Sequence, residues 1–374
     1  MKDKFLKAAA ITPDIRVGDT DFNTENIIKA MNEAHKLNVK LAVFPELVIS
    51  GYTCNDLFLQ DILLKGSLDG LKKIIKASEN LDMVTIVGLP FLNNFKLYNV
   101  AAVVFNGALL GLVPKQHIPN YSEFYEARHF AVGPKEVSYI DIPELGYELE
   151  DSGSFVSFGA NLLFKAKNLP ELVIGIDICE DLWMPVPPSC YHAMASATVI
   201  ANLSASDETT GKDLYRRELV KNQSARLISG YIYADAGEGE SSTDLVFAGH
   251  NLIAENGSIL SETKRFENGM TISEIDLGRL VSERRRMSTF TINDPETNGY
   301  EVAEFEFKNI CDTTLTRHFE KTPFVPNDKN DRDRRCDEIL NIYRANIYPR
   351  SVTLIDQDKN VIDSSKIKIS KSHR

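Results

Sequence analysis

The strongest constraint on the fold is a rhythm running through roughly the first 275 residues: short apolar runs, each long enough for one buried strand, separated by helix-period segments or tight turns. Phe5 to Ile11, Leu41 to Phe44 and Val84 to Leu89 read as strands, and Asn26 to Leu37 places Ile27, Ile28, Met31, Ala34 and His35 on one helical face. Val100 to Phe105 and Ala108 to Val113 flank Asn106-Gly107, a pair suited to a type I′ hairpin turn because both residues tolerate positive φ. The second half repeats the pattern. Leu172 to Ile178 and Val199 to Leu203 are strand-like, Ser189 to Ala197 and Asp213 to Ser229 helix-like, and Tyr231 to Ala234 and Leu245 to Phe247 strand-like. A second Asn-Gly turn, Asn256-Gly257, then joins His250 to Ala254 and Ser258 to Leu260. The chain is expected to be α/β, with two similar sheet-and-helix layers packed together as pseudo-symmetric halves.

After about residue 276 the character changes. Leu280 to Met287 carries Arg284, Arg285 and Arg286, and Asp328 to Arg335 alternates charge densely; both read as solvated helix or linker. Ser351 to Arg374 is a polar tail rich in Ser and Lys. In the 374 residues, apolar types make up 43% and charged types 25%, enough for a sizeable core. A net charge of -11 argues against nucleic acid as the main partner. The five cysteines are scattered with no CxxC pair, which suits a reducing compartment and neither a zinc site nor a disulfide framework. No apolar stretch approaches a membrane helix, so a cytoplasmic location is expected.

Three residues carry the chemistry. Cys179 ends the apolar run Leu172 to Ile178 and precedes Glu180 and Asp181. A cysteine in a strand is most often buried packing. Its acidic neighbours raise a thiol's pKa, so a nucleophilic role needs a cation nearby. Lys115, just after the first hairpin, supplies one. Glu46, directly after a strand and Pro45, is a carboxylate in an apolar setting. Thiol, base and cation together suffice for amide hydrolysis. The seven histidines show no HxH or HExxH spacing, so no metal site is expected, and His117, His129, His192 and His250 read as packing or hydrogen-bonding residues.

The order FPE, PK, ICEDLW resembles the nitrilase superfamily. The runs FPELVISGYT, KQHIPNYSEFYEARHF, ICEDLWMPVPPS, ANLSAS and ADAGEGESSTDLVFAGH narrow the likeness to the glutaminase half of the glutamine-dependent NAD(+) synthetases, over roughly residues 5 to 325. The resemblance implies a four-layer α-β-β-α nitrilase-type sandwich, a glutaminase domain over 1–275, an extension over 276–326, and a linker-like charged helix and tail over 327–374. It implies Glu46 as general base, Lys115 as stabiliser of the tetrahedral intermediate and Cys179 as the residue forming a γ-glutamyl thioester. Tyr121 and Ser206 would contact glutamine, Glu180 would hold its amino group, Tyr52 would line the pocket, and Glu126, in preference to Glu123, would support the lysine. The family's substrate-binding Arg is replaced by Lys212, which keeps the charge but loses the bidentate fork; Arg216 and Arg217 are alternative donors.

The resemblance also implies a second, ATP- and Mg-using synthetase domain with a Ser-Gly-Gly-x-Asp-Ser loop, and no such run occurs here. The chain is therefore expected to release ammonia without a cofactor but not to make NAD, as a shortened product or a separate subunit beside a synthetase partner. A homo-oligomer is expected by resemblance alone. The alternatives are a stand-alone amidase acting on another ω-amide or a carbamoyl compound, and an inactive chain.

Overall fold

The computed structural model describes residues 1–147, 155–242, 244–317, 319, 325 and 328–347. The first compact unit, Met1–Arg317, opens with β1 (Phe5–Thr12), α1 (Thr20–Lys36), β2 (Leu41–Val43), α2 (Asp61–Ala77), β3 (Val84–Asn93), β4 (Lys96–Phe105) and β5 (Ala108–Pro114). There follow β6 (Ser138–Ile140), β7 (Val156–Phe158), β8 (Leu162–Ala166), β9 (Val173–Ile178), α3 (Pro188–Met194) and β10 (Val199–Ser204). The unit closes with α4 (Lys212–Leu227), β11 (Gly230–Asp235), β12 (Leu252–Glu255), β13 (Ser258–Glu262), β14 (Gly269–Asp276), α5 (Leu277–Arg286) and β15 (Glu301–Phe305). In the second unit, α6 (Lys329–Ile347) is a helix with exposed side chains over its described residues, as the charge run predicts. The polar tail from Ser351 lies outside the described residues.

The strands form two mixed sheets, ordered β14-β1-β2-β3-β4-β5-β7-β6 and β13-β12-β11-β10-β9-β8-β15. β1, β2 and β3 are mutually parallel, and β3 continues into the antiparallel pairs β3–β4 and β4–β5. β9, β10 and β11 are likewise parallel, followed by antiparallel β12 and β13. The two Asn-Gly hairpins thus occupy equivalent places, and all four turn residues have positive φ (Asn106 48°, Gly107 82°, Asn256 43°, Gly257 84°), as a type I′ turn requires. The pseudo-symmetry expected from the sequence is present in the topology.

One core lies between the sheets, where Ala8, Val43, Ile86 and Val103 meet Ile176, Ile178, Val199 and Ile232. A second packs the outer face of the first sheet against α1 and α2 through Ile27, Met31, Leu71 and Ile74. A third packs the second sheet against α3 and α4 through Ala193, Val220 and Leu227. The layers are therefore α-β-β-α. Strands buried on both faces read as mostly apolar runs, which makes β9 and β10 legible despite the buried Asp177 and Asn202 within them.

Several features depart from the sequence reading, which did not anticipate β6, β7, β8, β14 or β15. Helix α2 escapes it because Gly66 and Gly70 depress helix propensity; a Cβ on either would lie 2.6 or 2.5 Å from the hydroxyl of Thr20 or Thr24 on α1, so the glycines permit close helix packing. Leu245 to Phe247 is not a strand. Both edges of β11 are already paired, by β10 and β12, and Phe247 makes only an isolated bridge to Asp207. Finally, Arg284 is buried rather than solvated, donating to the carbonyls of Leu227 and Ile228 at the end of α4 and to that of Ala197, between α3 and β10.

Candidate active site

Strand direction decides which side chains can meet. β2 and β5 run the same way in the first sheet, so Glu46 and Lys115, each just past its strand, emerge on one edge. β4 runs oppositely and begins there, bringing Asn99 to the same edge, where its carbonyl accepts from the Lys115 N–H at 2.9 Å. In the second sheet β9 and β10 are parallel, so Cys179 and Ala205 share an edge. Face-to-face packing then brings the two edges together: the Ala205 N–H donates to Glu46 Oε2 at 3.1 Å, and the Glu46 N–H to Ser204 O at 3.4 Å.

Two backbone choices make this possible. Gly88 on β3 underlies the Glu46 turn, and a Cβ there would sit 2.3 Å from Leu47 N and 2.7 Å from Pro45 O. Cys179 holds φ at 44°, in the left-handed region that disfavours side chains, as it leaves β9 for the turn Cys179–Trp183. That turn is fastened by Asp181, which accepts from the Ile178 N–H at 3.0 Å and from the His117 N–H at 2.9 Å.

The centre is a buried charge cluster. Lys115 is 1% exposed and donates to Glu46 Oε1 at 2.6 Å and to Glu126 Oε1 and Oε2 at 2.7 and 2.9 Å. Asn99 donates to the same Glu46 oxygen at 2.6 Å, and the Tyr52 hydroxyl donates to Glu126 at 2.7 Å. Flanked by two carboxylates, the ammonium stays protonated: their charges outweigh burial and hold its pKa well above the ordinary value. Burial raises the Glu126 carboxyl to about 7 against the pull of Lys115. Burial, then Glu46, pushes the Cys179 thiol well up, opposed by Lys115 and by the Ala205 N–H that faces the sulfur. The sequence suggests that Lys115 favours a thiolate. Instead its single charge is shared between two carboxylates, so Cys179 rests as the thiol and must lose its proton during attack.

The structure brings Glu46, Lys115, Glu126 and Tyr52 into direct contact, with Cys179 beside them. Tyr121 and Glu180 form a pair, joined by a 2.9 Å bond from the tyrosine hydroxyl. Ser206 is buried, its N–H bonded to Asp235 Oδ1 at 2.9 Å. Lys212 pairs with Asp207, its ammonium 5.3 Å from the Trp183 ring centre and 5.9 Å from that of Phe124. Glu123 does not reach Lys115 but lines a cavity of about 430 Å³ with Tyr52, Phe58, Phe124, Glu126 and His129. Of the two alternatives to Lys212, Arg216 is fully buried and Arg217 pairs with Glu262 at 2.9 Å. Asn99, Ala205 and Asp235 escape the sequence reading, and Asp181, read there only as an acidic neighbour of Cys179, fastens its turn. Only Asn99 carries a signal, a lone amide inside the apolar run of β4. Among the described residues no group of three His, Cys, Asp or Glu side chains could hold a metal, and no helix is long and apolar enough to cross a membrane.

A two-sheet sandwich with a buried Glu–Lys–Cys cluster between strand ends defines a carbon-nitrogen hydrolase. The chain belongs to the carbon-nitrogen hydrolase family, which it matches over residues 7–285, and is an enzyme of that class. Within it, the chain is 40% identical over 371 residues to the glutamine-dependent NAD(+) synthetase of Mycobacterium tuberculosis H37Rv, across 96% of this chain and 53% of that protein. The crystal structure of a glutamine-dependent NAD(+) synthetase from Cytophaga hutchinsonii superposes with TM-score 0.63 at 28% identity, over 72% of this chain and 43% of that one. Saccharomyces cerevisiae Nit3, of branch 10 of the nitrilase superfamily, shares the fold (TM-score 0.58, 18% identity, 76% of this chain and 95% of Nit3). The chain spans about half the length of the synthetases it matches.

Proposed function

We propose that this chain hydrolyses the side-chain amide of L-glutamine to L-glutamate and ammonia through a thioester on Cys179. The observation that carries the reading is the contact of Lys115 with both Glu46 and Glu126 beside a buried cysteine, in a chain similar over 96% of its length to glutamine-dependent synthetases. As the sulfur attacks the amide carbon, its proton passes to Glu46, and Lys115 offsets the charge growing on the carbonyl oxygen. Glu46 then protonates the departing nitrogen. The C–N bond breaks, ammonia leaves and the thioester remains. Water attacks next, giving its proton to Glu46. The C–S bond breaks, and the proton returns to sulfur as glutamate leaves. Each step uses only the chain's own residues, substrate and water.

Glutamine is oriented by Tyr121, Glu180 and Ser206, with Lys212 facing its carboxylate; Tyr52 acts through Glu126. In this reading the ammonia feeds ATP-dependent NAD synthesis by a synthetase domain or partner. The test is ammonia release from glutamine by the parent chain and by Cys179→Ala, with mass spectrometry for a glutamyl adduct on the Cys179 peptide. Release by the variant at the parent rate refutes the proposal.

A further inference from the structure

The segment leaving β10 is held at four consecutive residues. The Ala205 N–H bonds Glu46 Oε2 at 3.1 Å and faces the Cys179 sulfur. The Ser206 N–H bonds Asp235 Oδ1 at 2.9 Å. The Asp207 carbonyl accepts from Arg216 Nη2 at 3.2 Å, and the Glu208 carboxylate from Arg216 Nη1 at 2.9 Å. Two of these four ties end on one guanidinium. A third ends on Asp235, whose other oxygen lies 3.7 Å from Arg216 Nε.

Arg216 has no exposed surface and is the largest fully buried side chain among the described residues. Burying a guanidinium costs several kcal/mol unless charges and acceptors surround it. Here they do: Glu208, Asp235 and the Asp207 carbonyl face it, with His250 Nδ1 at 3.1 Å. A planar fork can hold partners on three sides at fixed angles, which a point charge on a flexible stem cannot. Buried as it is, Arg216 presents nothing to a substrate.

We propose that Arg216 is a positioning residue for the hydrolysis: bonded to the Asp207 carbonyl and the Glu208 carboxylate, with the Asp235 carboxylate held opposite its Nε at 3.7 Å, it fixes the 205–208 segment so that the Ala205 N–H stays aimed at Glu46 and the Cys179 sulfur. The proposal rests on Glu46 and Cys179 as base and nucleophile, and not on glutamine as substrate.

The test uses the full chain and two variants, Arg216→Lys and Asp235→Asn. Iodoacetamide alkylation is followed on the Cys179 peptide as a function of pH, alongside thermal unfolding. Arg216→Lys keeps the charge and loses the fork; its alkylation at pH 7.5 is expected to fall at least fivefold, with the pH midpoint moved up. Asp235→Asn removes a negative charge from the region, which by electrostatics alone would speed alkylation; loosened positioning slows it, by at least twofold. A folded Arg216→Lys chain alkylated at the parent rate overturns the proposal, as does faster alkylation in Asp235→Asn. A lowered melting temperature with unchanged alkylation marks a purely structural role and overturns it too. Should Arg216→Lys not fold, the direction of change in Asp235→Asn decides. Alkylation needs no glutamine, so a parent chain that releases no ammonia while both variants lose alkylation refutes the substrate and leaves the positioning role standing.

Discussion

Replacing Glu126 by Gln tests the charge arithmetic of the buried cluster. In the fold this carboxyl titrates at about 7, against an ordinary 4.5, mainly because burial disfavours its ionised form. A group with a raised folded-state pKa stabilises the protein least at high pH. Below about pH 4.5 both states hold the proton and nothing is lost. Between 4.5 and 7 the unfolded chain ionises first, and stability drains at about 1.4 kcal/mol per pH unit, to about 3 kcal/mol in all. Glutamine cannot ionise and escapes that loss. Its amide places an NH₂ where Glu126 Oε2 accepts from Lys115 at 2.9 Å, a conflict costing about 1–3 kcal/mol. That cost is independent of pH and cancels in the slope, as do the raised carboxyls of Asp177, Asp235 and Glu240. Urea unfolding, read by the fluorescence of Trp183, the sole tryptophan, should show the variant gaining on the parent by about 3 kcal/mol from pH 4.5 to 8. About half of that swing falls between pH 6 and 8, clear of the pI near 5.3. Ammonia release should fall, because Lys115 loses an anchor. Alkylation of Cys179 should quicken, because Glu126 helps hold the thiol's pKa up. Parallel stability curves, or a variant losing ground as pH rises, would refute the reasoning.

Other perturbations follow from single distances and angles. Cys179→Gly should be more stable than Cys179→Ala by about 1 kcal/mol in chemical denaturation, since only glycine takes the 44° φ without strain, and both should be inactive. Gly88→Ala drives a Cβ to 2.3 Å from Leu47 N and must displace the Glu46 turn; about 1–3 kcal/mol of stability and a roughly hundredfold drop in ammonia release are expected. Lys212→Ala should raise KM for glutamine roughly tenfold with little change in kcat, while Lys212→Arg, restoring a fork, should lower it; a kcat loss at constant KM would place Lys212 outside carboxylate binding.

The sequence alone determined the central strands and the two hairpin turns, because a strand buried on both faces is mostly apolar and an I′ turn needs residues tolerant of positive φ; it did not reveal β6, β7, β8, β14 and β15, whose runs are short or mixed in polarity. It also singled out Glu46, Lys115 and Cys179, polar groups placed just where apolar runs stop. It did not reveal α2, whose glycines serve a packing contact and contradict local propensity. Nor could it supply the protonation state of the cysteine. That depends on how one ammonium is divided between Glu46 and Glu126, and carboxylates far apart in the chain share a lysine only once strand direction has fixed which edges face each other. The buried Arg216, the Asp235 acceptor and the Ala205 N–H were equally hidden. A backbone donor has no side-chain signature, and Arg216, which the sequence offers as an alternative substrate donor, is shown only by the fold to be buried among Asp207, Glu208, Asp235 and His250.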